Sequence, residues 1–541
     1  MPEGNRLMNK FLKSRWILIT VLLLFTLFKI PHLLLPFYWD ESWPYASAVR
    51  QMYHNGISLL PNAIDPNLSR GHPMFFHFMY GLWMNIFGSS NFALHSFALL
   101  ISLLFLITIY ETGLRVFNQR VGVLGLLLVA TYVPFFVQSS FVLPEIMVAF
   151  LAFLSIVLYV RERYILATIS LTALFFTKES GLIVGFVLGT DALISLFNTK
   201  TEIRKRLQKL MPATVGCIFI GLFFILQKHI TGWYVLPLYT DTILVKWAAI
   251  WDRFGTGVIH ADFCMGFEYI LFFTMFAYSV VLLFTQKKVR YFIPLLLIVL
   301  IITAYYLEYP RIINLYGQGS GMFIITYVVF FGFIGIYLSI VFFFKNKEFN
   351  PARSQRQLIL LTGLFILAFS LFSSVAYFIP RYVLASGIAV LFLVAVFFEI
   401  LIRYTWNPLY YVLIIIILFS SFLSFKSSTG WGDEEMGFVK GVKTQVAEIE
   451  YMEANNFYDK HIYVNSFMGY THLRDPYCGF LKSGKIFKYT LIDLLTTTDL
   501  IMYDNVEDIK ATPGYYLSNP DFMLIHKITY GDKWAEFYKR K

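Results

Sequence analysis

The chain has 541 residues, of which 58% are hydrophobic and 14% are charged, and its formal net charge is +11. A soluble globular protein carries roughly 25% charged residues, so this composition excludes an ordinary soluble enzyme. The basic residues lie in short clusters between long apolar runs, which is typical of membrane-topology signals and not of a nucleic-acid-binding face. The sequence therefore predicts a polytopic α-helical membrane protein.

The N-terminal apolar run, about Trp16–Pro36, predicts an uncleaved first span. Basic residues precede it, and no small-residue cleavage site follows it. When the basic clusters are placed in the cytoplasm, the apolar runs alternate across the membrane about 13 times, and the last run ends near Phe425. We therefore expect a cytoplasmic N-terminus, a membrane module over residues 1–425 and an extracytoplasmic segment after it.

The loop after the first span, residues 37–90, places Asp40 and Glu41 at the predicted outer membrane boundary. A helix is predicted from Ser42 to His54, and the aromatic segment Pro73–Phe87 is typical of a membrane surface. Adjacent helical residues project about 100° apart. One of the two acids is therefore expected to face a substrate, and the other to hold a helix end or a cation. The structural alternative, compatible with this one, is that Asp40 caps a helix starting at Glu41.

A second acid, Glu145, follows Pro144 at the head of an apolar run. A carboxylate in hydrocarbon costs about 2.5–3.5 kcal/mol, so such a residue usually faces a polar cavity. The alternative is an acid that stabilises the first turn of its helix.

Three further residues at predicted outer boundaries are candidates for binding an anion. Lys178 and Arg381 are cations at the ends of apolar runs, and arginine binds phosphate in a bidentate way. The alternatives are a surface pair of Lys178 with Glu179 and snorkelling of both cations to the lipid headgroups. His72, before Pro73, is as consistent with a structural role as with a catalytic one.

The sequence contains no metal-ligand spacing, and we predict neither a bound metal nor a cofactor. Its cysteines are Cys217, Cys264 and Cys478, and they predict no disulfide framework.

After Lys426 the sequence becomes more polar, and short alternating runs replace the long apolar ones. A helix is predicted over Met436–Asn455. Strands are predicted in five short segments: His461–Asn465, Lys485–Thr490, Asp499–Asp504, Phe522–Tyr530 and Trp534–Tyr538. Residues 426–541 are therefore expected to form a small soluble α/β domain.

These motifs, in this order, resemble the GT-C membrane glycosyltransferases, most of all their protein O-mannosyltransferase and aminoarabinose-transferase branches. The resemblance rests on five motifs: Asp40-Glu41, the segment HPMFFHFMYGLWMNIFG, Pro144-Glu145, Thr177-Lys178 and Arg381-Tyr382. It is clear over about residues 16–195, weaker to residue 405 and absent in the tail. Two features differ from the family pattern: His72-Pro73 stands where many relatives have two prolines after a basic residue, and Glu179 stands where glycine is usual.

The resemblance implies a polyprenyl-phosphate sugar as donor and an acceptor on the outer face, which is a protein, a lipid or a glycan. It implies that Asp40 is the general base, that Glu41 and Glu145 belong to the catalytic group, and that Lys178 and Arg381 bind the donor phosphate. His72 and Tyr382 are expected beside them. A single displacement would invert the anomeric centre. Basic side chains can stabilise the departing phosphate, so no bound metal is required in principle.

The predicted function is therefore that of a glycosyltransferase in the membrane of a cell envelope, expected to be the bacterial inner membrane, with no nucleic-acid partner. Within the enzyme class, the alternative is an oligosaccharide ligase or polymerase that uses lipid-pyrophosphate donors. From another class, the alternative is a lipid or glycan transporter. A transporter is expected to have broken spans with charges at the membrane midplane, whereas the candidate charges here lie at one boundary.

Overall fold

The structure is a computed structural model. It describes residues 3–197, 202–237, 243, 246–263, 265, 330, 332–337, 352–375, 378–430, 432–507 and 510–541. Most of the predicted eighth, ninth and tenth spans, the predicted turn at 308–318 and Cys264 lie outside the described residues.

The membrane module is helical. Its helices are α1 (Glu3–Leu33), α2 (Tyr45–Asn55), α3 (Pro66–Ser69), α4 (Phe75–Phe87), α5 (Asn91–Thr112), α6 (Gln119–Ala130), α7 (Val133–Gln138), α8 (Pro144–Val160), α9 (Tyr164–Thr177), α10 (Leu182–Leu196), α11 (Ile203–Thr231), α12 (Trp247–Arg253), α13 (Ile259–Phe263), α14 (Arg353–Val375), α15 (Leu384–Tyr404) and α16 (Leu409–Ser427). Seven helical segments of the described residues are long and apolar enough to cross a membrane, and three shorter apolar helices accompany them. This confirms the predicted polytopic helical class, while the number of 13 spans stays a prediction.

Helix α15 lies at the centre of the bundle. Every residue of its most apolar window is buried, and it packs against α6, α8 and α14. A helix that is buried on all sides has no need of a polar face, which explains its continuous apolar sequence. Its N-terminal end therefore places Pro380–Val383, a short 3-10 turn containing Arg381, in the interior.

Two local predictions differ from the structure. The predicted third span, Val121–Ser139, is broken between α6 and α7, where Pro134 occupies the first turn of α7. The helix predicted from Ser42 begins at Tyr45, after Pro44. The prediction that Asp40 caps a helix starting at Glu41 is therefore wrong, because Asp40 lies inside a separate 3-10 turn, Trp39–Glu41.

The C-terminal residues form a five-stranded sheet with two helices. The elements are α17 (Phe438–Ala454), β1 (Ile462–Val464), α18 (Phe467–Arg474), β2 (Thr490–Leu491), β3 (Leu500–Asp504), β4 (Phe522–Tyr530) and β5 (Lys533–Arg540). The strand order is β2-β1-β3-β5-β4. Strands β1, β2 and β3 are parallel, whereas β5 is antiparallel to β3 and β4. The small α/β domain is confirmed; β2 is shorter than predicted, and α18 was not predicted.

This sheet domain packs on the segment that carries the acidic pair. The amide of Phe37 donates to the Cys478 carbonyl at 2.9 Å, and Arg50 Nη2 donates to the Tyr477 carbonyl at 2.5 Å. Burial lowers the pKa of His472 to about 3, so its ring is neutral. Because Ser42 Oγ already donates to the Phe37 carbonyl, His472 Nε2 donates to Ser42 Oγ at 2.8 Å.

Candidate functional site

Asp40 lies in the turn that directly follows α1. Its carboxylate pairs with the guanidinium of Arg381, and 30% of its side chain remains exposed. The residue is therefore held by an interior cation while one part of it is accessible from the surface.

Glu41 points away from Asp40 and into the protein. Its Oε1 accepts hydrogen bonds from His95 Nε2 at 2.8 Å and from the Val142 amide at 2.7 Å, while its Oε2 accepts from the Tyr38 amide at 3.2 Å. His95 Nδ1 faces the Leu33 carbonyl at 3.1 Å. Both ring nitrogens of His95 therefore face oxygen atoms. Glu41 thus connects the turn of Asp40 to the turn before α8.

Arg381 is fully buried and is surrounded by carboxylates. Its Nη2 pairs with Asp40 and its Nη1 with Asp433, and its Nε lies 3.7 Å from Glu145 Oε1. Tyr382 lies beside it, with its ring centroid 5.5 Å from the guanidinium carbon. A buried guanidinium requires such partners, since an unpaired charge in the interior costs several kcal/mol.

Glu145 and Lys178 form a second buried pair. Glu145 occupies the first turn of α8, as the structural alternative predicted, and its Oε1 lies 2.9 Å from Lys178 Nζ. Lys178, at the end of α9, also places its ammonium 4.3 Å from the Tyr382 ring centroid, a cation–π contact. The predicted surface pair of Lys178 with Glu179 is therefore wrong.

Glu179 instead pairs with His72. The Glu179 Oε2 atom lies 2.8 Å from His72 Nδ1. The backbone changes from α9 to a 3-10 turn at this point, Glu179–Gly181, and this sends consecutive side chains to different partners. His72 therefore contacts the residue that directly follows Lys178 in the chain.

A cavity of about 320 Å³ adjoins these pairs. Its charged end is formed by His72, Glu145, Lys178 and Glu179, with Tyr382 beside them. Its remaining walls are mostly apolar and include Val148, Val235, Ile243, Phe369, Phe372, Val375 and Ala385. Arg381 and Asp40 do not line the cavity, but Arg381 adjoins two residues that do, Glu145 and Tyr382.

Five of the seven site residues predicted from the sequence are connected through direct contacts. Asp40, Arg381, Glu145, Lys178 and Tyr382 form one chain of ion pairs and ring contacts. His72 joins them across the cavity. Glu41 lies close by, but its hydrogen bonds hold the backbone.

Two residues of this cluster were missed by the sequence analysis. Asp433, in a turn before α17, pairs with Arg381, and His95, in α5, pairs with Glu41. The acidic run at Asp433–Glu435, just after the last apolar run, was a signal that could have been followed. Within the described ranges, no group of three or more His, Cys, Asp or Glu side chains is placed to bind a metal ion.

Comparison with known proteins gives one family match and several structural similarities. Residues 71–226 match the model of the family described as dolichyl-phosphate-mannose-protein mannosyltransferase. No curated protein matches the sequence.

Two solved proteins illustrate the structural similarity. The crystal structure of ArnT from Cupriavidus metallidurans bound to undecaprenyl phosphate has 11% sequence identity and a TM-score of 0.47, with 98% of each chain covered. The archaeal oligosaccharyltransferase AglB from Archaeoglobus fulgidus, in complex with an inhibitory peptide and a dolichol-phosphate, has 12% identity and a TM-score of 0.42, with 97% of this chain and 74% of that chain covered.

The family match covers the segment that supplies His72, Glu145 and Lys178. The matched segment and the polytopic helical fold agree with the resemblance to GT-C membrane glycosyltransferases that the sequence motifs indicated.

Proposed function

We propose that the protein transfers a sugar from a polyprenyl-phosphate donor to a hydroxyl of an acceptor at the extracytoplasmic face, with inversion at the anomeric carbon. The observation that carries this proposal is the cavity of about 320 Å³, whose walls are mostly apolar and whose charged end contains the ammonium of Lys178. A lipid phosphate is complementary to this cavity, because its chain is apolar and its head is anionic.

Lys178 is the proposed first contact of the donor phosphate. Its side chain is 13% exposed and lines the cavity, so a phosphate oxygen can reach it without rearrangement of the helices. A charge-assisted hydrogen bond in such a setting contributes about 1.5–3 kcal/mol. Arg381, one residue from Tyr382 in the cavity wall, is the proposed second phosphate contact.

Asp40 is the proposed general base. In the transfer step, the acceptor hydroxyl gives its proton to the Asp40 carboxylate while its oxygen forms a bond to the anomeric carbon. The bond between that carbon and the phosphate oxygen breaks, and its electron pair leaves with the phosphate. In this single displacement the acceptor oxygen attacks from the face opposite the leaving phosphate, which inverts the anomeric centre.

Glu41 has a positioning role in this proposal and does not touch substrate. Its three hydrogen bonds fix the Asp40 turn relative to α5 and to the turn before α8. Glu145 likewise orients Lys178 and Arg381, since its Oε1 faces both.

The basic clusters between the helices support the predicted orientation, with the N-terminus in the cytoplasm and Asp40 and the sheet domain outside. A donor carried by a lipid suits that compartment, because nucleotide sugars are absent from it. Residues 1–425 and 426–541 are the proposed catalytic module and extracytoplasmic domain.

The test is an in vitro transfer assay with polyprenyl-phosphate sugars and full-length protein in lipid nanodiscs. Asp40→Asn is expected to lower kcat by about 100-fold or more, the usual contribution of a general base, while the Kd for the donor stays within a few fold. The matched control is Asp65→Asn, because Asp65 is an exposed acid of the same loop that caps α3 and asparagine is an equally good cap. Unchanged turnover of Asp40→Asn would remove it from this role.

A further inference from the structure

Each nitrogen of the Arg381 guanidinium faces a carboxylate in this structure. Its Nη1 faces Asp433, its Nη2 faces Asp40, and its Nε faces Glu145. The side chain is buried, with none of its surface exposed. A donor phosphate therefore reaches Arg381 only if one of these three carboxylates moves away.

The charges of the cluster lead to the same conclusion. Two cations, Arg381 and Lys178, face three carboxylates, those of Asp40, Glu145 and Asp433. A phosphate that joined them would place a further negative charge beside these carboxyl groups. Like charges a few ångströms apart in a poorly hydrated interior repel strongly, so binding is favourable only if a carboxylate leaves.

Two of the three carboxylates are held in place. Glu145 lies in the first turn of α8 and pairs with Lys178 at 2.9 Å. Asp40 is fixed through its neighbour Glu41, whose carboxylate accepts hydrogen bonds from the Tyr38 and Val142 amides.

Asp433 is held less firmly. It lies in a turn before α17, outside any helix or strand, and its side chain contacts the adjacent Glu434 of the same turn as well as Arg381. Its backbone carbonyl accepts one hydrogen bond, from Gln138 Nε2 at 2.7 Å. A carboxylate and a phosphate use the same donors of a guanidinium, so Asp433 occupies a position that suits a phosphate oxygen.

We propose that Asp433 stands in the place of the donor phosphate on Arg381 Nη1, and that the incoming phosphate displaces it and moves the turn of residues 432–437. This inference rests on the proposed function, because it takes the ligand to be a polyprenyl phosphate. Asp433 is a positioning residue in this scheme. Since the turn leads into α17 of the sheet domain, binding of the donor is coupled to that domain.

The first test measures the affinity of full-length protein for undecaprenyl phosphate without sugar, in nanodiscs. Asp433→Asn removes the competing charge and is expected to lower Kd about tenfold, which corresponds to about 1.4 kcal/mol. Glu435→Gln is the matched control, because it removes a charge two residues away in the same turn and is expected to change Kd less than about twofold. Asp433→Asn with an unchanged or higher Kd would overturn the inference. A tighter complex cannot result from a misfolded variant.

The second test needs no substitution. Hydrogen–deuterium exchange of the wild-type protein is measured over residues 428–437 with and without undecaprenyl phosphate. Displacement of Asp433 predicts faster exchange of this segment when the lipid is bound, whereas the walls of the cavity are protected. Slower or unchanged exchange of the segment contradicts the inference.

Different outcomes would contradict the proposed function and the displacement of Asp433. If the wild type does not bind undecaprenyl phosphate and Lys178→Gln has no effect on binding, the proposed function falls and the inference with it. If the wild type binds and Lys178→Gln weakens the complex, but Asp433→Asn does not tighten it, only the inference falls.

Discussion

The acids of the candidate site and two buried acids of the sheet domain, Glu448 and Asp504, have opposite surroundings. In the module, each acid of the site faces a basic side chain: Glu145 faces Lys178, Glu41 faces His95, Glu179 faces His72, and Asp40 faces Arg381. In the sheet domain, Glu448 is fully buried and neither of its carboxylate oxygens has a hydrogen-bond partner. Asp504, also buried, accepts from neutral donors, the Val506 amide at 2.7 Å and Ser466 Oγ at 3.4 Å.

The difference determines how each region responds to perturbation. A paired buried charge is stable until its partner is removed, and then it costs about 3–5 kcal/mol. A buried acid without a cation avoids that cost by taking up a proton. Substitution of the cations is therefore expected to destabilise the module. A change of pH is expected to alter the stability of the sheet domain.

The largest effect is expected from Arg381→Met. The change leaves Asp433 buried without a cation, and it removes the partner of Asp40. We expect it to lower the free energy of unfolding by about 3–5 kcal/mol and to abolish transfer. Thermal unfolding of full-length protein in detergent measures the first effect, and the transfer assay measures the second.

The control for this prediction is Arg403→Met, at the other end of α15. That side chain is 46% exposed and pairs with Glu399 one turn away, so its loss is expected to cost about 1 kcal/mol or less. If Arg381→Met were as mild as Arg403→Met, the paired charges would not stabilise the module.

A smaller effect on stability is expected from Lys178→Gln. Glu145 keeps Arg381 at 3.7 Å, and the adjoining cavity can admit water. Its main consequence is expected in binding, because the cation that lines the cavity is lost. We expect the Kd for undecaprenyl phosphate to rise about 10- to 100-fold, measured by titration in nanodiscs. Lys228→Ala, at an exposed lysine of α11, is the control and leaves Kd unchanged.

The sequence was sufficient for features that repeat along the chain. Apolar runs predicted the helices, and alternating residues predicted the strands. The strand Phe522–Tyr530 has the same first and last residues in the structure as in the prediction. Such features depend on neighbours in the sequence, and the pattern of hydrophobic residues records them directly.

The partners of the charged residues were harder to predict, because they depend on contacts between distant residues. Lys178 was paired with its neighbour Glu179, but its partner Glu145 lies 33 positions away. Asp433 meets Arg381 across 52 positions and Asp40 meets it across 341. No periodicity connects such residues. The resemblance to a family supplied most of the site, and it ended before the tail that contributes Asp433.

The smallest of the expected effects concerns pH and the sheet domain. Burial raises the pKa of Asp504 to about 6 and raises that of Glu448 as well, with the nearby Asp504 carboxylate contributing to the latter. An unfolded aspartate has a pKa of about 3.9. Between these values the folded domain binds more protons than the unfolded one, so its stability is fully present below about pH 4 and is lost as the pH rises through 6.

The charge of Lys533 lowers the pKa of Asp504, but by less than burial raises it. We expect the free energy of opening at β3 to fall by about 2–3 kcal/mol between pH 4 and pH 8. Hydrogen exchange of residues 500–504 in the full-length protein, corrected for the intrinsic rate at each pH, measures it. The double variant Glu448→Gln, Asp504→Asn removes both titrations and is expected to flatten the dependence. An opening free energy that rises with pH would mean that these acids are paired after all, as the acids of the module are.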